Sequence, residues 1–102
     1  MGEKYEKLVR DNIPDILDGK NITYEQRTAS PEEYRLELIK KLDEEVQEFK
    51  EAGSIEELAD VLEVIDALLQ LPEYQNVAEI QNQKRGTRGA FAKRLILKGE
   101  KG

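Results

Sequence analysis

Residues 30–72 read SPEEYRLELIKKLDEEVQEFKEAGSIEELADVLEVIDALLQLP, and the architecture turns on this stretch. Ser30-Pro31-Glu32-Glu33 sets a capping hydroxyl before a proline at the first helical position, with Glu33 three residues after the cap. Ser54-Ile55-Glu56-Glu57 repeats the Ser-x-x-Glu pattern directly after Gly53, the residue type that best closes a preceding helix. The spacing predicts two long helices over 31–71, joined by a tight Gly-Ser turn as an antiparallel helical hairpin. Pro72 stops the second helix, and a third is expected from about Glu73 to Lys84.

Outside this stretch the pattern changes. A basic and apolar lead runs from Tyr5 to Pro14, with Asp11 as the expected cap of a short helix ending near Gly19. Residues 22–28 (Ile-Thr-Tyr-Glu-Gln-Arg-Thr) alternate β-branched or aromatic with polar side chains, and residues 94–98 (Arg-Leu-Ile-Leu-Lys) are also strand-like. Pairing of the two would give a short two-stranded β element. Lys84-Arg85-Gly86-Thr87-Arg88-Gly89 reads as a glycine-punctuated basic loop. The expectation is one mainly α domain over residues 1–102, a helical hairpin or bundle with that small β element.

Composition narrows the chemistry. The 102 residues contain no cysteine and no histidine, so disulfides, zinc fingers, thiol nucleophiles and Ser-His-Asp triads are excluded. Catalysis has to run on carboxylates, amines, guanidinium groups, hydroxyls and the backbone. Sixteen basic against 22 acidic residues give a net charge of −6, which argues against duplex nucleic acid as a partner. No apolar run approaches the ~18 residues of a membrane span. Met1-Gly2-Glu3-Lys4 lacks a secretory apolar core, and Glu6 breaks a myristoylation motif, so a cytoplasmic location is expected.

In the first long helix the apolar face is Leu38, Ile39, Leu42, Val46 and Phe49. Glu44 points away from it, whereas Glu45 and Glu48 share one flank, roughly 60° and 120° from Leu42, with Lys41 between them. In the second helix the stripe is Ile55, Leu58, Leu62, Ile65 and Leu69, and Glu57 and Asp60 share a flank. Each acidic pair has i,i+3 spacing, and the hairpin brings the two pairs to matching heights. Four carboxylates so gathered repel one another unless protonated or bridged by a divalent cation. Oxygen-only ligation suits Mg²⁺, with Mn²⁺ as a substitute. The plainer alternative is a solvated acidic face in which Lys40, Lys41 and Lys50 supply ordinary helix pairs.

The pattern Glu44-Glu45-x-x-Glu48, then Glu57-Leu58-Ala59-Asp60, resembles the E-E-x-x-E…E-x-x-D signature of the MazG-like all-α nucleoside triphosphate pyrophosphohydrolases. Lys7-Leu8-Val9-Arg10-Asp11-x-Ile13-Pro14 is similar to the opening of that superfamily's phosphoribosyl-ATP pyrophosphohydrolase-like single-domain subgroup. Arg85-Gly86-x-Arg88-Gly89-x-Phe91 with Leu95-Ile96-Leu97 is similar to its end, although Gly89-Ala90 stands where the subgroup has Gly-Gly. The resemblance covers most of the chain. It implies Glu45, Glu48, Glu57 and Asp60 as ligands of Mg²⁺, cleavage of a nucleoside triphosphate between the α- and β-phosphates, and a homodimer or homotetramer of hairpins.

For such a reaction Glu45 and Glu48 are the candidate bases for an attacking water. Lys41, Lys7, Arg10, Lys84, Arg85 and Arg88 are candidate phosphate contacts, with Gly86 and Gly89 admitting backbone N–H groups. Phe91 either stacks on a base or fills the core. Glu63 and Asp66, on the other flank of their helix, form a second acidic pair that either joins a site or pairs at the surface. Val61, Val64, Ala67 and Leu68 make that helix apolar over much of its circumference, which predicts burial on more than one side and hence a homo-oligomer. Two further readings are a non-enzymatic acidic interaction module and a phosphoribosyl-ATP pyrophosphohydrolase.

Overall fold

The computed structural model describes residues 6–100; Met1–Lys4 and Tyr5, the first residue of the lead segment, lie outside the described residues. The element order is α1 (Ile13–Gly19), α2 (Pro31–Ala52), α3 (Ile55–Leu69), a 3₁₀ turn (Pro72–Tyr74) and α4 (Val77–Arg88). The molecule is mainly helical.

Local chemistry sets the hairpin. Ser30 Oγ accepts from the Glu33 N–H and Ser54 Oγ accepts from the Glu57 N–H, while Pro31 begins α2. Gly53 has φ 61°, in the left-handed region, and its N–H donates to Phe49 O at 2.7 Å, which ends α2. A two-residue connection so short forces α3 back along α2, and no other pair of described elements packs to a comparable extent. Ser54→Ala is expected to cost about 1 kcal/mol of stability through the orphaned N–H at the start of α3, measured by urea unfolding.

The core is small. Leu38 from α2, Val64 from α3 and Leu71 beyond it are buried together, with Leu8, Tyr34, Leu42, Ala67, Leu68 and Tyr74 packed around them. The face of α3 turned to α2 is therefore Val61, Val64, Ala67 and Leu68, a correction to the stripe expected there. Of that stripe, Leu58 is 52%, Leu62 56% and Ile55 84% exposed. Both faces of α3 are apolar, and the hairpin covers only one.

Several flanking expectations are corrected. Neither 22–28 nor 94–98 is a strand, and no strand occurs among the described residues. A strand needs a ladder partner for its N–H and C=O groups, and each segment lacks one. Residues 22–28 are held by side chains instead: Tyr24 donates to Asp18 at 2.9 Å, and Arg27 forms a fork on Glu33, both contacts at 2.7 Å, with Glu6 at 3.0 Å. That fork lowers the Glu33 pKa. In the other segment Arg94 has φ 56°, and Leu95, Ile96 and Leu97 stay exposed.

Asn12, not Asp11, precedes α1. The third helix is split: Gln75 Nε2 donates to Leu71 O at 3.0 Å across the corner, and α4 starts only at Val77. Residues 84–88 are the last turn and a half of α4, not a loop. Arg85 and Arg88 there complement the carbonyl end of the helix dipole, offsetting the cost of Gly86. Gly89, at φ 81°, follows as the cap.

The chain is extended. Its radius of gyration is 18.4 Å, against about 13 Å for a compact chain of this length. Its accessible surface is 9,745 Å², against roughly 5,900 Å² for a compact monomer of the same mass. Among the described residues no helix is long and apolar enough to cross a membrane.

Candidate metal centre

Glu45 follows Leu38 by seven residues and Leu42 by three, so it stands in the row that packs against α3 rather than on its flank. Glu57 and Asp60 each lie four residues before Val61 and Val64, and they face α2 for the same reason. One carboxylate oxygen from each of Glu45, Glu57 and Asp60 lies within 4.8 Å of the others. Ligand oxygens around a single Mg²⁺ at ~2.1 Å are ~3.0 to 4.2 Å apart, so small side-chain rotations bring all three onto one ion.

The second oxygens bear on the same question. Glu45 is buried at 8% exposure, and its Oε2 has no hydrogen-bond partner; neither does the buried Oε2 of Glu57. Buried carboxylate oxygens without donors are costly, and a divalent cation is a partner that satisfies them. The donor set is all oxygen, which suits Mg²⁺ or Mn²⁺. Burial pushes the Glu45 pKa up, the neighbouring Glu48 carboxyl adds to this, and Lys41 opposes it.

Of the four ligands implied by the resemblance, Glu48 falls outside the triplet. It is exposed, beside Glu45. Lys41 Nζ lies 3.5 Å from Glu45 Oε1 and 3.9 Å from Glu44 Oε1. Arg10 Nη2 donates to Asp60 Oδ1 at 2.7 Å, because Leu8 packs on the core and carries the lead segment over α3. Lys7 Nζ pairs with Glu44 at 3.5 Å. Glu44, read as pointing away, is thus held from two sides. A cavity of about 460 Å³ opens here; Arg10, Lys41, Glu45, Asp60 and Glu63 line it, and Asp66 does not.

The remaining predicted contacts are elsewhere. Lys84, Arg85, Arg88 and Phe91 line a separate groove of about 820 Å³ with Tyr74, Val77 and Ile80, and it shares no residue with the carboxylate cavity. Phe91 is 97% exposed, so it does not fill the core. Sequence reasoning missed the direct Arg10–Asp60 pair, for which no local spacing rule exists across fifty positions. It also passed over the core register of Glu45, which the row Leu38-Leu42-Glu45-Phe49 could have revealed. Set against family models, curated proteins and solved structures, the chain matches none.

Proposed function

We propose that the protein is a Mg²⁺-dependent nucleoside triphosphate pyrophosphohydrolase of the MazG-like all-α type, acting as a homo-oligomer. One observation carries this reading: three carboxylates from facing helices converge within 4.8 Å, with two buried oxygens left unpaired. Glu45, Glu57 and Asp60 hold the ion. When bound, Mg²⁺ offsets polyphosphate charge and polarises the phosphorus. Glu48, exposed beside the triplet, takes the proton of the attacking water as the water oxygen bonds to phosphorus and the α–β anhydride bond breaks. Nucleoside monophosphate and pyrophosphate leave. Arg10 and Lys41, on the cavity wall, bind phosphate oxygens and orient the chain.

The second reading, an acidic interaction module, is favoured by one observation, that Arg10 and Lys41 already pair with Asp60 and Glu45. Product analysis separates the two. Incubation with common and modified nucleoside triphosphates and with phosphoribosyl-ATP, each with Mg²⁺ or Mn²⁺, is expected to yield pyrophosphate and a monophosphate. Glu48→Gln and Asp60→Asn should each abolish that release. No pyrophosphate from any substrate, or release that survives both substitutions, overturns the enzyme reading. Turnover confined to phosphoribosyl-ATP makes that compound the substrate.

A further inference from the structure

Charge is distributed unevenly along this chain. Between residues 84 and 98 lie Lys84, Arg85, Arg88, Lys93, Arg94 and Lys98 and no acidic residue, so against a net −6 the remainder carries −12. Among the described residues none of these six cations is in an ion pair. The same arm exposes Phe91, Ile96 and Leu97 at 94% or more. An arm both cationic and apolar, attached to an acidic body with apolar residues bare on α3, is complementary to that body in charge and in hydrophobicity.

Within one copy the arm is remote from the carboxylates. Asp60 lies near the start of α3, and α4 leaves beyond its far end, roughly 14 Å further along the axis from Asp60 to Leu69. Helix α4 is about 18 Å long and does not pack extensively on the hairpin, and the groove that its cations line shares no residue with the carboxylate cavity. The accessible surface exceeds that of a compact monomer by roughly 3,900 Å² per chain, or about 7,800 Å² for a pair, more than the 2,000–5,000 Å² in total that an obligate dimer interface buries.

We propose that residues 84–98 of one copy dock on the carboxylate cavity of a second copy, reciprocally, so that Arg85 and Arg88 complete each site from the partner chain. The cations meet the exposed Glu63 and its neighbours across the subunit boundary, and the apolar arm residues cover the bare face of α3. Assignment of the two arginines to a phosphate chain rests on the pyrophosphohydrolase reading; the docking itself does not.

The absence of cysteine makes a direct test clean. Full-length Glu63→Cys and Ala90→Cys proteins are mixed, allowed to exchange subunits and treated with a short bis-maleimide. A cross-linked dimer from the mixture, absent from either protein alone, is expected. No such dimer, or efficient cross-linking within a single chain of the double variant, overturns the docking. For the phosphate role, Asp60→Asn protein with an intact arm is mixed with Arg85→Ala/Arg88→Ala protein with intact carboxylates. Random exchange leaves half of all dimers mixed, each with one complete site, so about one quarter of wild-type activity returns. No recovery beyond the two proteins measured separately overturns that role. If the wild-type protein releases no pyrophosphate at all, the hydrolase reading falls while cross-linking still decides the docking.

Discussion

Glu45→Gln is expected to cut Mg²⁺-dependent pyrophosphate release by more than about a hundredfold, beyond the 10–100-fold typical of losing a mere supporting contact to a metal, while raising the melting temperature of the metal-free protein. The two effects have one cause. Glu45 is buried at 8% exposure, with one oxygen unpaired and Glu48 beside it, so its charge is costly without a cation. Glutamine keeps the shape and removes the charge. The sign with pH follows from the raised pKa: the folded state holds this proton more tightly than the unfolded state. The stabilising increment is complete below the ordinary glutamate value of 4.5 and is lost as pH rises through the raised value of the folded protein. Metal-free wild-type protein therefore loses stability over that interval, and Glu45→Gln lacks this component of the slope. Added Mg²⁺ raises the wild-type melting temperature by mass action and leaves the variant unmoved. Calorimetry across pH, with and without Mg²⁺, checks all three. Equal Mg²⁺ stabilisation of both proteins would show that the ion binds elsewhere or not at all.

The hairpin was legible because its signals are local. Two Ser-x-x-Glu caps, Pro31 and Gly53 act within one helical turn, and each appears in its expected place. The facing of α3 was harder to read. With Leu58 and Leu62 on one side and Val61 and Val64 on the other, periodicity offers two apolar faces of similar strength, and only packing against α2 selects between them. That choice also brings Glu57 and Asp60 into the packed face, toward Glu45. The strand expectations failed for a related reason: alternation in 22–28 shows what a half-buried strand requires, not that a partner exists to meet it. Arg27 forked on Glu33 supplies a competing local solution. For the site, spacing along each helix picked out all three converging carboxylates together with Glu48, which lies outside the triplet, whereas Arg10 reaches Asp60 through the tertiary path of the lead segment.

Leu62→Glu is the second large effect: if the chain associates as proposed, the substitution is expected to leave monomers without melting the hairpin. Ile55, Leu58 and Leu62 recur at i, i+3 and i+7 on the bare face of α3, where Leu62 is 56% exposed in the single chain. None of the three belongs to the cluster around Leu38, Val64 and Leu71, so a charge there leaves the intramolecular core intact. In a two-fold interface each substitution counts twice. Losing about 2 kcal/mol of apolar burial per copy, doubled by symmetry, weakens association by roughly a thousandfold, and desolvation of the two new carboxylates adds to this. Light scattering at micromolar concentration should give a dimer or tetramer for the wild type and a monomer for Leu62→Glu, with the helical circular dichroism of both alike. Leu62→Met keeps the apolar area and should stay associated. A wild-type protein that scatters as a monomer would leave the exposed stripe without a partner copy, and with it would go the reciprocal docking of the basic arm. If Leu62→Glu dissociates and also loses hydrolysis while its Mg²⁺ stabilisation persists, the ion is held within one chain and the substrate between two.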